Sequence, residues 1–148
     1  MEHLVYLALG SNEGDRHIYM QEAINSLEDG VGCVEAVSQW IETEPVGFVS
    51  SFRFLNAAVR LRTYLEPLVL LDVLQEIERR LGRTRKSHDG QHYDRTIDID
   101  ILLYDELRME HPRLQIPHPR MWWRDFVLHP LREVYLGDWN ALVQHYTG

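Results

Sequence analysis

The sequence predicts an α+β sandwich of ferredoxin-like type, with helices packed on a mostly antiparallel sheet. Three observations lead there. Short apolar runs at 4–9, 54–62 and 97–103, with a rougher one over 33–43, read as strands. Two stretches of helical character, 16–28 and 67–81, fall between them. The resulting order is β-α-β-β-α-β, and 148 residues with 45% hydrophobic content suit a single domain spanning 1–148.

The run LVYLAL at 4–9 ends in Gly10-Ser11-Asn12, a buried strand meeting a polar turn. Asp15 caps the first helix, whose inner stripe is Ile18, Ala23, Ile24 and Leu27, and Gly30 and Gly32 stop it. Val34, Val37, Trp40 and Ile41 predict a strand with an irregularity, closing at Thr43-Glu44-Pro45-Val46-Gly47. The segment from there to Phe54 forms a loop of a size that often carries function. In the strand 54–62, Val59 and Leu61 oppose Arg60 and Arg62. Pro67 opens the second helix, and Leu70, Val73, Leu74, Ile77 and Leu81 form its core-facing stripe before Gly82 ends it.

Residues 83–95, RTRKSHDGQHYDR, carry almost nothing apolar and no helical period, so they read as a loop. After the strand 97–103, Tyr104-Asp105-Glu106 reads as a turn. Prolines at 112, 117 and 119 predict no regular structure over 111–120. Met121 to His129 reads as a short helix, and the tail with Trp139 and Tyr146 offers only packing residues.

A net charge of −8 argues against a general nucleic-acid surface. The basic residues are nonetheless gathered: Arg79, Arg80, Arg83, Arg85 and Lys86 lie close together, with Arg95 just beyond. Such a cluster on an acidic chain predicts a local anionic ligand rather than a long polyanion. Cys33 is the one cysteine, which excludes an intrachain disulfide, suits a reducing cytoplasm and predicts a small buried hydrophobe. The first residues lack the basic and apolar regions of a signal peptide, and no apolar stretch is long enough to span a membrane.

Chemistry concentrates at Arg95-Thr96-Ile97-Asp98-Ile99-Asp100-Ile101. In a strand the isoleucines face one layer and Asp98 and Asp100 the other, with the aspartates about 6.5 Å apart. Two carboxylates so placed repel unless positive charge lies between them. Mg²⁺ would answer, since it takes one or two carboxylate oxygens and completes its shell with water and phosphate. An edge strand with its aspartates in water or beside arginines would answer as well, and the residues alone leave both open. Phe54 and Phe126 read as plain core by themselves, and His118 between two prolines as structural. Asn56 inside an apolar strand, and Glu78 close to the buried helical stripe, both demand partners.

Six stretches together resemble the 6-hydroxymethyl-7,8-dihydropterin pyrophosphokinase family of the folate pathway. They are Leu9-Gly10-Ser11-Asn12; Leu55-Asn56-Ala57-Ala58-Val59; Ile77-Glu78 through Gly82-Arg83-Thr84-Arg85-Lys86; the Arg95–Ile101 strand; Ile116-Pro117-His118-Pro119-Arg120; and Arg124-x-Phe126-Val127-Leu128 with Pro130-Leu131. The resemblance runs from about residue 4 to 135 and implies pyrophosphate transfer from ATP to a reduced pterin's hydroxymethyl group, releasing AMP, with two Mg²⁺ ions. It implies Asp98 and Asp100 as metal ligands, and Arg83 and Arg95 as catalytic residues closing over the triphosphate, with Arg85 and Lys86 next. The pterin would lie between Phe54 and Phe126, its edge met by Asn56, Thr43 and the backbone near Val46. On the ATP side, His118 and Arg124 would contact phosphates and Ile101 and Leu114 flank adenine, with Arg113 nearby. Glu78 would anchor an active-site arginine on that side. The resemblance further implies a monomeric cytoplasmic protein with small-molecule substrates and neither nucleic acid nor membrane as partner.

This sequence departs from the family pattern in places. Glu44 and Pro119 stand where proline and tyrosine are common, and Tyr93 is the aromatic nearest the loop arginine. Two other readings remain open on the sequence. A nucleotidyltransferase would combine Gly10-Ser11 with Asp98-x-Asp100, but that superfamily keeps both motifs in one strand-turn-helix unit and these lie far apart. A non-catalytic ferredoxin-like module would tolerate the loss of Asp98.

Overall fold

A computed structural model describes residues 1–43, 53–82 and 96–148. Strand β1 (His3–Ser11) is followed by helix α1 (Arg16–Gly30), strands β2 (Cys33–Val37), β3 (Ile41–Thr43) and β4 (Phe54–Thr63), helix α2 (Pro67–Arg80) and strand β5 (Asp98–Tyr104). A hairpin of β6 (Met109–His111) and β7 (Leu114–Ile116), a 3₁₀ turn at Met121–Trp123, and helices α3 (Asp125–Val134) and α4 (Trp139–Thr147) complete it. The sheet runs β2-β4-β1-β5, with β3 also pairing β4, and all its ladders are antiparallel. This is the expected ferredoxin-like sandwich.

Helices cover both faces of the sheet. On one, Val5, Leu7 and Leu9 join Ile97, Ile99 and Ile101 against Met20 and Leu27 of α1 and Leu70, Leu74 and Ile77 of α2. On the other, Tyr6, Ala58, Leu102 and Leu103 pack with Met121, Val127, Leu131, Val134 and Leu142. Burying each such large side chain contributes about 1.5–3 kcal/mol relative to leaving it in water. Leu102 and Leu103 are adjacent yet face the same layer because of a bulge in β5: Ile101 pairs with Leu7 and Leu103 with Tyr6, leaving Leu102 without a cross-strand partner.

Several expectations shift in detail. Asp15 caps α1, accepting the Ile18 N–H at 3.3 Å, but Ile18 itself is exposed and Met20 takes the core position. Gly30 is the last residue of α1, with Val31 as its C-cap. Gly32 is there for close approach: a Cβ would stand 2.0 Å from the Arg62 carbonyl oxygen. The irregular strand over 33–43 is two strands, bridged by Ser38, whose N–H donates to the Ala58 carbonyl (2.9 Å) while its Oγ accepts the Ala58 N–H (2.8 Å). Gly82, at φ +97°, ends α2 as its position suggested.

Cys33 is exposed, not buried, because it opens β2 at the rim of the sheet. The segment 111–120 is not wholly irregular: Pro112 sits in the turn of the β6–β7 hairpin, where its missing N–H costs no ladder bond. The helix expected over 121–129 is a 3₁₀ turn and then α3, which continues through Pro130 to Val134 because Val127, Pro130, Leu131 and Val134 form its buried stripe. The tail forms α4. Among the described residues, no helix is long and apolar enough to cross a membrane.

Candidate active site

β1 is the middle of the site. Gly10 pairs with Asn56 of β4 on one side and Asp98 of β5 on the other; one step along, Ala8 pairs with Ala58 and Asp100. With strands about 4.8 Å apart, Asn56 and Asp98 therefore stand roughly 10 Å apart across a floor that has no large side chain. Gly10 makes the opening. A Cβ there would stand 3.4 Å from Asn56 Oδ1 and 3.5 Å from Phe54 Cδ1.

A cleft of about 580 Å³ lies over this floor and extends round the edge of β5. On the β4 side, Asn56 is buried and donates its Nδ2 to Thr43 Oγ1 at 2.7 Å, and Phe54 lines the wall. The start of α3 supplies Arg124 and Phe126, with the guanidinium carbon 5.7 Å from the ring centroid, a cation–π contact.

Among the described residues β5 is an edge strand, so its outer backbone groups must find partners elsewhere. The buried Glu78 of α2 accepts the Ile99 N–H at 2.8 Å, and the His118 N–H donates to the Leu102 carbonyl at 3.0 Å. The peptide between the two aspartates is thereby held by a helix, and the histidine by the bulge. Burial, and then the nearby Arg124, hold the His118 imidazolium below its ordinary range, while Asp98 opposes the shift. His118 Nδ1 accepts the Arg120 N–H at 3.2 Å, so the neutral ring directs Nε2–H elsewhere. Arg113, on the hairpin, pairs with Asp72 of α2.

Residues 6–136 match the sequence model of the 7,8-dihydro-6-hydroxymethylpterin-pyrophosphokinase (HPPK) family. The chain belongs to this family. Relatives named 2-amino-4-hydroxy-6-hydroxymethyldihydropteridine pyrophosphokinase include one from Porphyromonas gingivalis, 51% identical over 88% of this chain and 90% of the relative. Another, from Bacillus subtilis, is 45% identical over 90% of this chain and 79% of the relative. A solved Plasmodium falciparum HPPK-DHPS chain superposes with a TM-score of 0.73 over 90% of this chain; at 16% identity it speaks for the fold, and this chain spans 40% of its length. The protein is thus a pyrophosphoryl-transferring enzyme of folate biosynthesis.

The cleft gathers Thr43, Phe54, Asn56, Glu78, Asp98, Asp100, Ile101, Arg113, Leu114, His118, Arg124 and Phe126. Val46, Arg83, Arg85, Lys86 and Arg95 lie outside the described residues. Ile101 and Leu114 belong to the core on the α2 side, so they meet the cleft where it turns the edge of β5. Among the described residues no three His, Cys, Asp or Glu side chains gather as a metal cage, and the Asp98–Asp100 pair is the acidic set in the cleft floor. The sequence motif at 9–12 contains Gly10 but does not disclose its use, and nothing in the sequence marks Ala8. A period of two in β1 puts both on the Tyr6 face; only the pairing with β4 and β5 shows that they separate Asn56 from Asp98.

Proposed function

We propose that this protein transfers the terminal diphosphate of ATP to the hydroxymethyl oxygen of 6-hydroxymethyl-7,8-dihydropterin. The hydroxyl oxygen attacks the β-phosphorus in line, the bond to the α-phosphate bridging oxygen breaks, and AMP leaves with that oxygen while the hydroxyl proton passes to solvent. The observation that carries this reading is the row Asn56–Gly10–Asp98. It puts an amide suited to a pterin edge and a carboxylate suited to a phosphate-bound cation on one open floor.

Asp98 and Asp100 are the proposed ligands of two Mg²⁺ ions, since paired carboxylates leave room for the phosphate oxygens and waters that this ion prefers. Mg²⁺ bound there supplies neutralisation of the phosphate charge and acidification of the attacking hydroxyl. Phe54 and Phe126 stack the ring, and Asn56 with Thr43 meets its polar edge, joined by the backbone near Val46. Arg124, Arg113 and neutral His118 face the nucleotide, and Ile101 and Leu114 flank adenine. Arg83 and Arg95 complete the cationic set, followed by Arg85 and Lys86. Glu78 fixes the aspartate strand rather than touching ATP, a role supported by its bond to Ile99. The chain works as one monomeric domain on small molecules.

Incubation with ATP, Mg²⁺ and the reduced pterin tests this. AMP and the pterin diphosphate are expected in equal amounts. Release of free pyrophosphate, or ADP as the nucleotide product, would overturn the proposal.

A further inference from the structure

We infer that Arg16 is a positioning residue for the pterin end of the cleft, tying together the ends of β3 and β4 that present Thr43, Phe54 and Asn56. The inference rests on assigning that end to the pterin. Arg16 Nη1 donates to Glu42 Oε1 at 2.9 Å and to the Arg53 carbonyl oxygen at 2.8 Å, one hydrogen for each. Glu42 and Arg53 immediately precede Thr43 and Phe54, which face each other at the end of the ladder. A single guanidinium nitrogen thus joins the two strands beside the cleft.

The ladder needs that join. β3 is three residues long and, among the described residues, pairs with β4 only, so few backbone bonds hold it in place. The Thr43–Asn56 hydrogen bond spans the same pair of strands, and a small slip of β3 would open it and free the amide to turn. Helix α1 gives Arg16 a firm base, since Asp15 caps its start and His17 sets its ring 5.9 Å from that of Trp40, just before β3. The Arg16 side chain is three-quarters covered, at 25% exposure, which is unlike a solvated surface cation. The Glu42 carboxyl lies below its ordinary range, chiefly through the hydrogen bond from Arg16 and then its charge.

Arg16→Met removes both hydrogen bonds while keeping much of the side chain's length. The expected result is a rise of about tenfold in KM for the reduced pterin. Affinity for an unreactive ATP mimic with Mg²⁺ should stay within about twofold, and kcat at saturating pterin should fall by less than about threefold. Arg16→Lys should recover part of the loss. Glu42→Gln should move pterin KM the same way but less, because the Arg53 bond survives.

Phe126→Ala, measured in parallel, reports on the slot itself. A normal pterin KM in Arg16→Met beside a raised one in Phe126→Ala removes the Arg16 inference alone. Equal losses of pterin and nucleotide affinity in Arg16→Met also remove it, because they indicate general loosening. A normal pterin KM in Phe126→Ala removes the slot assignment, and this inference with it. Should Arg16→Met fail to fold, Glu42→Gln decides by the same readouts.

Discussion

Glu78 reaches from α2 to accept the backbone N–H of Ile99 at 2.8 Å, and Ile99 is the residue between Asp98 and Asp100. The pair of carboxylates is thus set by a hydrogen bond that touches neither of them. Glu78→Ala should leave that edge amide without its acceptor and cost about 2 kcal/mol in urea unfolding. It should also raise the Mg²⁺ concentration needed for half-maximal rate. Glu78→Gln, which keeps an accepting oxygen, should fall between the two proteins in both measurements. An alanine variant with unaltered Mg²⁺ dependence would show that the strand holds its own geometry.

Asp98→Ala and Asp100→Ala should each lower kcat by roughly a thousandfold or more. The apo protein should keep its melting temperature or gain a few degrees, because two like charges on one strand face no longer oppose each other. Calorimetry and single-turnover rates on the same preparations check both halves. Near-normal turnover in either variant would end the assignment.

Gly10→Ala places a methyl group 3.4 Å from Asn56 Oδ1 and 3.5 Å from Phe54 Cδ1, at the floor of the cleft. The fold should lose only about 1 kcal/mol, since the contact is tight rather than forbidden. Pterin affinity should fall about tenfold while nucleotide affinity holds, as titration calorimetry with each ligand can report.

Phe126→Ala should weaken pterin binding by roughly tenfold or more and leave affinity for an ATP mimic nearly unchanged. The ring also carries the Arg124 guanidinium, so the comparison is informative. Equal losses for both ligands would assign Phe126 to arginine placement instead of stacking.

His118 is held below its ordinary value of 6.5, first by burial. Its proton is therefore favoured in the unfolded chain, and the neutral ring's contribution to stability is complete above that value. It is lost as pH falls from there toward the folded-state value. Urea midpoints measured from pH 7.5 down to 5 should decline more steeply in the parent protein than in His118→Gln. Parallel declines would show that the other histidines account for the loss.

The sequence made the sandwich legible because its strands are short apolar runs, alternating in 59–62 and 97–101, and α2 carries an apolar stripe up to Leu81, just before Gly82. It made the aspartate pair legible because Asp98 and Asp100 share a strand face. It misplaced Ile18 and Cys33 because burial at an element's end depends on what covers that end, and neither position is covered. Prolines misled in both directions: Pro112 sits in a turn that joins two strands, and Pro130 lies within a helix whose buried stripe outweighs one missing hydrogen bond. The open floor needed β4 and β5 laid on either side of Gly10, a relation between distant segments that no local pattern encodes.

The extra residue in β5 has one more effect. Straighten that strand by deleting Leu102, and Ile101 and Leu103 would simply follow one another in register, with both acidic side chains still facing the cleft. What would vanish is the carbonyl to which His118 is moored. The kink is a hook, and it lets a strand that carries acidic groups also hold an imidazole from a segment with no strand of its own.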